Sequence, residues 1–240
     1  MNLYNEPIND KVLLVTGARE GIGRYLAEYY AARGFQVIGC SRKASDFRHE
    51  RYRHFTLDVA DAAAARKMFA QIRKNYGRLD ALINNAGVNP AIGPAMLLDP
   101  RSARATMETN FLGSYVMSVE AAKLMMKNRF GRIVMLGSMA VRHEVAGESI
   151  YTASKAAVTA FTRVFAKEVQ QFGITCNVVA PAAVPTKLSR AVDARALAEV
   201  LKRNAIPKPG AMKDVGNAVD FILKPESAAI TGQVIYLGGV

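Results

Sequence analysis

Short apolar runs alternate along the chain with longer stretches in which apolar residues recur at helical spacing. The runs that predict strands are 11–16, 36–40, 54–57, 79–84, 132–137, 174–180 and 233–237. The stretches that predict helices are 22–33, 61–76, 102–128, 151–172, 187–203 and 213–223. Because strands that are apolar throughout are typical of a sheet covered on both faces, we predict an α/β fold, a doubly wound parallel sheet of about seven strands with helices on both sides.

One segment, residues 183–212, interrupts this alternation. Its chain-breaking residues are Pro185, Pro207, Pro209 and Gly210, placed around a helical stretch rich in Ala, Arg and Lys. Such an insertion before the last helix and strand predicts a substrate lid, although an ordinary surface excursion would have the same composition. The chain has no internal repeat or linker, so residues 1–240 are interpreted as a single domain.

The composition is typical of a folded globular protein, with 50% hydrophobic and 22% charged residues. The chain has neither a basic and then apolar leader nor an uninterrupted apolar run of about 18 residues, so no signal peptide or membrane span is expected. Cys40 and Cys176 lie in apolar runs without the spacing of metal ligands. We therefore expect buried free thiols, no metal site and a cytoplasmic location.

The net charge is +12, from 32 Lys and Arg against 20 Asp and Glu. This excess either serves solubility or favours an anionic partner, such as a nucleic acid, a phosphorylated cofactor or an acidic protein. The basic residues are spread along the chain, most densely at 42–54, and no nucleic-acid-binding motif accompanies them. We expect neither a nucleic acid nor a membrane as partner.

The first predicted strand runs directly into T-G-A-R-E-G-I-G (16–23), and a helix follows. Gly17 can provide a tight turn, Gly21 lets the backbone approach a ligand, and Gly23 allows close packing of helix and strand. The helix amino end, with its free N–H groups and positive dipole, favours a pyrophosphate. This placement predicts a nucleotide site rather than merely a tight turn.

Tyr151 and Lys155, in Y-T-A-S-K, lie four residues apart within a predicted helix and therefore on the same face. One interpretation is a surface pair that contributes about 0.2–0.5 kcal/mol. The other is a proton donor whose pKa is adjusted by a neighbouring cation.

Several further motifs occur in a fixed order with these two. They are N-N-A-G (84–87), Asn110 and Ser138, and further matches are L-D-V (57–59), N-V-V-A-P (177–181) and I-T-G-Q (230–233). Together with the glycine turn and Y-x-x-x-K, this set resembles the short-chain dehydrogenases/reductases, which have a Rossmann fold, over essentially the whole chain. From residue 120 onwards the chain is most similar to the 3-oxoacyl-[acyl-carrier-protein] reductases of that family.

The resemblance implies a role for each catalytic residue. Tyr151 would be the general acid for carbonyl reduction, or the base in the reverse direction. Lys155 would lower the pKa of Tyr151 and bind the nicotinamide ribose. Ser138 would donate a hydrogen bond to the substrate oxygen, and Asn110 would help to hold a water that links Lys155 to solvent. Taken by itself, Ser138 could simply be a cap or turn residue after a strand, and Asn110 could simply be an exposed residue of a helix.

The resemblance also implies a nicotinamide cofactor. Asn85, Ala86 and Gly87 would pass close to the adenine ribose, Asp58 would accept a hydrogen bond from the adenine amino group, and Val59 would pack on the adenine ring. The full cofactor-binding set is Gly17, Arg19, Gly21, Ile22, Gly23, Ser41, Arg42, Asp58, Val59, Asn85, Ala86, Gly87, Tyr151, Lys155, Pro181 and Thr186.

The end of the second strand indicates which nicotinamide is bound. An acidic residue there would accept a hydrogen bond from the 2′-hydroxyl of NAD, but this chain has Ser41 followed by Arg42, which suits a 2′-phosphate. Glu20 is an argument against NADP, because NADP-preferring relatives often have a basic residue at its position. We expect NADP(H), with NAD(H) as the alternative.

The predicted activity is reduction of a ketone by NADPH, with a 3-oxoacyl thioester as the candidate substrate. The alternatives are an NAD(P)-dependent dehydrogenase of a small alcohol, polyol or sugar, and an inactive cofactor-binding regulator. Ala182 follows Pro181 where the family usually has glycine, which puts the shape of the loop beside the nicotinamide in question.

Partners follow from the same resemblance. Two arginines of the subfamily bind the acidic carrier protein; one corresponds to Arg129, which the resemblance places at the pocket mouth. The other corresponds to Phe172, which could instead contact a pantetheine arm or acyl chain. We therefore expect weak carrier docking through Arg129.

A homotetramer is also expected, because helices 102–128 and 151–172 carry more apolar surface than one sheet face covers; a dimer is the alternative.

Overall fold

The computed structural model describes residues 11–90, 92–186 and 194–239. Its strands are β1 (Val12–Thr16), β2 (Gln36–Ser41), β3 (Tyr52–Thr56), β4 (Ala81–Asn84), β5 (Gly131–Leu136), β6 (Ile174–Ala180) and β7 (Val234–Tyr236). They form one sheet in the order β3-β2-β1-β4-β5-β6-β7, and every neighbouring pair is parallel. The predicted doubly wound fold is confirmed, and each predicted strand is present.

Helices cover both faces of this sheet. They are α1 (Gly21–Ala32), α2 (Ala62–Tyr76), α3 (Pro100–Met107), α4 (Gly113–Met125), α5 (Ala140–His143), α6 (Ser149–Val169), α7 (Ala194–Leu201) and α8 (Met212–Leu223). Among the described residues, no helix is both long enough and apolar enough to cross a membrane.

The central strands are mostly apolar because both of their faces are buried. Successive side chains of a strand point to opposite faces. In β1, Leu14 therefore joins one core with Met68 of α2 and Met117 of α4, whereas Leu13 joins a second core with Leu26 of α1 and Val219 of α8. This double coverage fixes the carboxyl ends of the strands, where the predicted site residues lie.

The order of the strands reverses between β1 and β4. Ligands of open α/β sheets bind in the crevice at such a reversal, outside the carboxyl ends of the strands. Thr16, the last residue of β1, joins the two strands here: its Oγ1 accepts hydrogen bonds from the backbone N–H groups of Asn85 and Ala86, both at 2.9 Å. The crevice thus has a floor fixed by hydrogen bonds.

The helix predicted at 102–128 is present but not continuous. A π-helical turn at Glu108–Leu112 separates α3 from α4. Such turns insert an extra residue and often occur at functional sites. At its centre lies Asn110, which is fully buried rather than an exposed helix residue.

The predicted lid is described only in part. Residues 187–193 lie outside the described residues, so the helix predicted at 187–203 is seen as α7 alone. The two ends of the segment are tied together, because Gly210 N donates to Ala183 O at 3.0 Å.

Candidate active site

A cleft of about 230 Å³ opens at the carboxyl edge of the sheet. It is lined by residues from the ends of β4, β5 and β6 and from the start of α6, including Asn85, Gly87, Ser138, Tyr151, Lys155 and Pro181. One end meets the glycine turn at Ile22, and Ala183, Val184, Thr186 and Val200 of the predicted lid segment form part of its wall.

The glycine turn has the shape of an anion cradle. Gly17 and Gly21 have positive φ angles of 67° and 61°, which a residue with a side chain adopts only with strain. A Cβ atom on Gly17 would lie 2.8 Å from Asn85 Nδ2, and one on Gly23 would overlap the carbonyl of Gly17. Helix α1 begins at Gly21, and the side chain of Glu20 makes no capping hydrogen bond to its first turn. The turn therefore fits a pyrophosphate held by backbone N–H groups.

Ser138, Tyr151 and Lys155 meet in the wall of the cleft. Tyr151 is in the first turn of α6 and is only 9% exposed, with its hydroxyl hydrogen-bonded to Ser138. Lys155, one turn further on, is buried; its Nζ donates to Leu136 O at 2.7 Å and lies 6.0 Å from the centre of the Tyr151 ring. Phenol, hydroxyl and ammonium thus converge at the end of β5.

Burial dominates the ionisation of this group. It raises the pKa of Tyr151 to about 12, although the hydrogen bond from Ser138 lowers it and the charge of Glu148 raises it further. Burial also lowers the pKa of Lys155 to about 8. Burial is thus the largest influence on Tyr151 in the protein without cofactor. That Lys155 lowers the pKa of Tyr151 once a bound nicotinamide closes the pocket stays a prediction. At neutral pH Tyr151 consequently keeps the proton that a general acid needs.

Asn110 holds two parts of the site together. Its Oδ1 accepts from Val88 N at 2.8 Å, and its Nδ2 donates to Val88 O and Ser154 Oγ, both at 2.9 Å. These bonds connect the segment after N-N-A-G to α6 and occupy the amide side chain. Since both N–H groups of the amide are used, the contact of Asn110 with a water stays a prediction.

Ser41 and Arg42 lie at the end of β2, as the sequence places them. The Ser41 hydroxyl donates to Lys43 O at 2.7 Å, and His54 Nε2 lies 2.9 Å from it. Arg42 is exposed and has no ion-pair partner among the described residues. Glu20 forms an ion pair with Arg19 at 3.6 Å, so part of its charge is balanced.

The L-D-V segment lies beside this end of the cleft. Asp58 Oδ1 accepts from Ala60 N at 3.0 Å, which leaves the second carboxylate oxygen for a ligand. Val59 is buried and packs against Gly113, where an added Cβ would overlap it. Its side chain is therefore largely committed to the core, and its packing on the adenine ring stays a prediction.

Ala182 fits its loop without strain. Among the described residues other than glycine, only Arg129 and Glu144 have a positive φ, so Ala182 does not need the freedom of glycine. Met139 N donates to Pro181 O at 3.2 Å and fixes the same loop to the segment after Ser138. The departure from the family pattern leaves this wall of the cleft ordered.

Arg129 does not lie at the mouth of the cleft of its own chain. It precedes the amino end of β5, whereas Ser138 follows its carboxyl end, and six residues of strand span about 20 Å. Its guanidinium donates to Gln171 O at 2.9 Å. Phe172 is partly buried against the core and precedes the amino end of β6. The placement of Arg129 at the cleft mouth is therefore wrong within a single chain, whereas the carrier contacts of Arg129 and Phe172 stay predictions.

Comparison with known proteins agrees with this geometry. The family model described as short chain dehydrogenase matches residues 11–196. The chain belongs to the short-chain dehydrogenase/reductase family. It is 34% identical to the 3-oxoacyl-[acyl-carrier-protein] reductase of Escherichia coli, with 95% of this chain and 96% of the relative covered. The corresponding protein of Vibrio cholerae is 32% identical, with 97% of each chain covered.

Solved structures superpose closely on this short-chain dehydrogenase/reductase. The aldohexose dehydrogenase of Thermoplasma acidophilum has a TM-score of 0.87 at 29% identity, with 97% of this chain and 94% of that chain covered. ElxO with NADP bound has a TM-score of 0.87 at 28% identity, with 95% and 97% covered. Family and relatives together identify the chain as an NAD(P)-dependent oxidoreductase.

Three polar residues of the site were missed by sequence reasoning. Thr16 fixes the floor of the crevice, and Asn89 and Glu148 form a hydrogen-bonded pair in the wall of the cleft, 3.2 Å apart. Glu148 stands three residues before Tyr151, a spacing that places both on one helical face and could have revealed it. The pairing with Asn89, 59 residues away, required the structure.

Proposed function

We propose that this short-chain dehydrogenase/reductase reduces a ketone with NADPH, using Tyr151 as the general acid. The observation that carries the proposal is the convergence of Ser138, Tyr151 and Lys155 in one cleft that leads to the glycine turn. A buried, protonated phenol beside a buried ammonium is suited to give a proton to an oxygen on which negative charge develops.

NADPH, when bound, supplies the hydride that reduces the carbonyl carbon. Gly17, Gly21, Ile22 and Gly23 would hold its pyrophosphate, and Arg19, Ser41 and Arg42 its 2′-phosphate. The remaining contacts proposed for the cofactor are Asp58, Val59, Asn85, Ala86, Gly87, Lys155, Pro181 and Thr186. A Cβ on Gly87 would stand 3.4 Å from Asn110 Oδ1 and 3.5 Å from Lys155 Nζ, so glycine keeps the backbone open beside the ammonium.

The side chains divide the work at the substrate oxygen. Ser138 Oγ accepts from Ala140 N at 3.1 Å, and its own hydrogen, which is directed at Tyr151 in the protein by itself, would be donated to the substrate oxygen instead. Tyr151 gives its proton to the developing alkoxide, and Lys155 stabilises the phenolate that remains. Asn110 positions α6 through Ser154. In the oxidative direction Tyr151 accepts the proton instead.

NADPH oxidation measured with a panel of carbonyl compounds and alcohols tests this function. We expect turnover of ketones, with a 3-oxoacyl thioester as first candidate, since 3-oxoacyl-[acyl-carrier-protein] reductases are 34% identical to the chain. Tight NADPH binding without turnover of any carbonyl or alcohol would instead indicate a regulator that only binds the cofactor.

A second candidate is the oxidation or reduction of a small alcohol, polyol or sugar. It is favoured by the structural similarity to an aldohexose dehydrogenase and by the polar pair of Asn89 and Glu148 in the substrate wall. Turnover of polyols or sugars in the same panel, with no turnover of thioesters, would select this candidate.

Cofactor preference is a separate prediction. It is based on Arg42, which is exposed at the end of β2, and on the preceding position, which is Ser41 rather than an acidic residue. Because a guanidinium binds a phosphate with paired N–H groups, wild type should bind NADPH more tightly than NADH, and Arg42→Asp should erase or reverse the difference. Fluorescence titration with both cofactors measures this; Arg48→Asp, in the same surface loop, is the control. Tighter NADH binding by wild type would show that Glu20 outweighs Arg42.

We further propose that the chain forms a homotetramer, with a dimer as second choice. Leu112, Tyr115, Met126 and Val164, on α4, α6 and the turns beside α4, are between 38 and 57% exposed despite being large and apolar. Light scattering at micromolar protein should give the mass of four chains, and Val164→Glu should lower it because burying an unpaired carboxylate is costly. Met96→Glu, on the loop after β4, is the matched control. A monomeric mass of wild type would rule out the assembly.

Carrier docking depends on this assembly. If α4 and α6 pair across a two-fold axis, the helices run antiparallel, which brings the amino edge of one sheet beside the carboxyl edge of the next. The partner's Arg129 would then approach the cleft, and a +12 chain would attract an acidic carrier at long range. We expect a modest advantage in kcat/KM for a carrier-bound thioester over a pantetheine-type thioester, which shrinks with salt and with Arg129→Ala. A large advantage insensitive to Arg129 would place docking elsewhere.

We also propose that the segment 183–212 acts as a substrate lid of a single domain spanning residues 1–240. Support comes from Val184, Thr186 and Val200, which line the cleft. Thr186 also stands beside Gly21, 3.5 Å from where a Cβ would be, so cofactor and substrate sites share this wall.

A further inference from the structure

The substrate end of the cleft is mostly apolar. Its wall includes Ile92, Met139, Val145, Ala146 and Val200. Among the described residues that line the cleft, Glu148 supplies the single carboxylate. A charged group in such a wall is costly unless it meets a partner, so its presence calls for an explanation.

Glu148 is held in place from two sides. It immediately precedes α6, and its backbone carbonyl accepts from Thr152 N at 2.8 Å. Asn89, on the segment after β4, donates its Nδ2 to Glu148 Oε1 at 3.2 Å. The two segments are joined again where Gly93 N donates to Gly147 O at 2.8 Å. The carboxylate therefore has a fixed position one helical turn from Tyr151.

The hydrogen-bonding capacity of this carboxylate is largely unused. A carboxylate has about four acceptor sites, and among the described residues Asn89 is the side chain that fills one of them. No Lys or Arg of the described residues forms an ion pair with it. Burial raises the pKa of Glu148, against the lowering effect of the Asn89 hydrogen bond, as expected for a charge that lacks full solvation.

We propose that Glu148, positioned by Asn89, is a specificity-determining residue that accepts a hydrogen bond from an O–H or N–H group of the substrate. The inference rests on the proposed ketone reduction and narrows its substrate to ketones that carry such a donor near the reacting carbonyl. A hydroxyl of a small hydroxyketone and the amide N–H of a pantetheine arm share this chemistry. A substrate with a carboxylate in place of this donor group would be repelled by the negative charge of Glu148.

Two matched pairs of ketones separate these sources. The first is 4-hydroxy-2-butanone and 2-pentanone, which differ by a hydroxyl in place of a methyl group. The second is the N-acetylcysteamine thioester of 3-oxobutanoate and its S-pentyl thioester, which lacks the amide. Because a hydrogen bond to a charged acceptor is strong, wild type should favour the donor-bearing member of at least one pair by about ten- to hundredfold in kcat/KM.

Variants of Glu148 then assign the preference. Glu148→Leu should bring that ratio close to one, and Glu148→Gln, which retains a neutral acceptor, should lower it partly. Since Glu148 also acts on Tyr151, either variant is expected to change the rates with both members of a pair, but a change at Tyr151 or a general disruption of the cleft cancels in the ratio, which reports the hydrogen bond to the donor. Glu144→Gln, an exposed carboxylate on the adjoining turn outside the cleft wall, should keep the wild-type ratio.

Two results would count against the inference in distinguishable ways. Equal turnover within both pairs by wild type, or a preference unchanged in Glu148→Leu and Glu148→Gln, overturns the role of Glu148 while ketone reduction stands. Intact NADPH binding with no turnover of any of the four ketones overturns the proposed function itself. The ketone pair whose kcat/KM ratio falls when Glu148 is substituted shows whether hydroxyketones or pantetheine thioesters are the substrate class.

Discussion

Tyr151→Phe should lower kcat for ketone reduction by about 10²–10⁴ while leaving NADPH affinity nearly unchanged. Phenylalanine keeps the ring that is 9% exposed in the cleft wall and removes only the hydroxyl that is hydrogen-bonded to Ser138. The proton for the alkoxide must then come from water, which is neither positioned nor matched in pKa. Single-turnover NADPH oxidation with a saturating ketone measures the chemical step directly.

The control for this prediction is Tyr115→Phe on α4. Tyr115 contacts Phe161 edge to face and lies outside the cleft wall, so removal of its hydroxyl should not change turnover. A Tyr151→Phe enzyme that turns over at the wild-type rate, with melting temperature and NADPH affinity unchanged, would mean that another group supplies the proton.

The protonation of Tyr151 predicts that reduction is faster than oxidation near neutral pH. With a pKa raised to about 12, the phenol remains protonated across the physiological range and is always competent as an acid. Oxidation needs the phenolate, which is scarce until the pH approaches that value. Positive charge near the ring is the factor that can restore phenolate at lower pH, and Lys155 is the buried cation of the described site.

The central strands could be predicted from sequence because they are buried on both faces. β1, β4, β5 and β6 consist of buried residues from end to end, and that coverage leaves continuous apolar runs bounded by loops. The glycine turn could be predicted for a similar reason, since the positive φ of Gly17 and the packing of Gly23 each exclude side chains.

The π-helical turn could not be predicted in the same way. One extra residue at Glu108–Leu112 barely changes the apolar spacing of the surrounding helices. What holds it is the buried side chain of Asn110, through hydrogen bonds to Val88 and Ser154, which are 22 and 44 residues away. Contacts of that range leave no local pattern in the sequence.

The misplacement of Arg129 has a different cause. Arg129 lies at the end of the long helix, as predicted. It precedes β5, however, whereas Ser138 follows β5, so the two residues lie at opposite edges of the parallel sheet. The resemblance implied a place at the cleft mouth, which Arg129 does not reach in its own chain. Strand direction alone, available from the sequence, shows that Arg129 and Ser138 cannot share a cleft within one chain.

Lys155→Met should lower the rate of ketone reduction by about 100-fold and also weaken NADPH binding. At 6.0 Å and an effective dielectric constant of about 20, a unit cation stabilises a phenolate by about 3 kcal/mol, which corresponds to this factor. Methionine has a similar shape and removes a buried charge, so the melting temperature should not fall much despite the lost hydrogen bond to Leu136 O. Lys167→Met, on the exposed side of α6, is the matched control.

The pH profile gives this last prediction its sharpest form. Burial lowers the pKa of Lys155 to about 8, so the ammonium is present below that pH and lost above it. The wild-type reductive rate should therefore decline as pH rises through about 8, whereas Tyr151, with its pKa raised to about 12, contributes no such decline in that range. In Lys155→Met the slow residual rate should be flat across the same interval. A decline near pH 8 that survives in Lys155→Met, with the protein still folded and NADPH saturating, would assign the ionisation to another group and leave Lys155 a purely structural role.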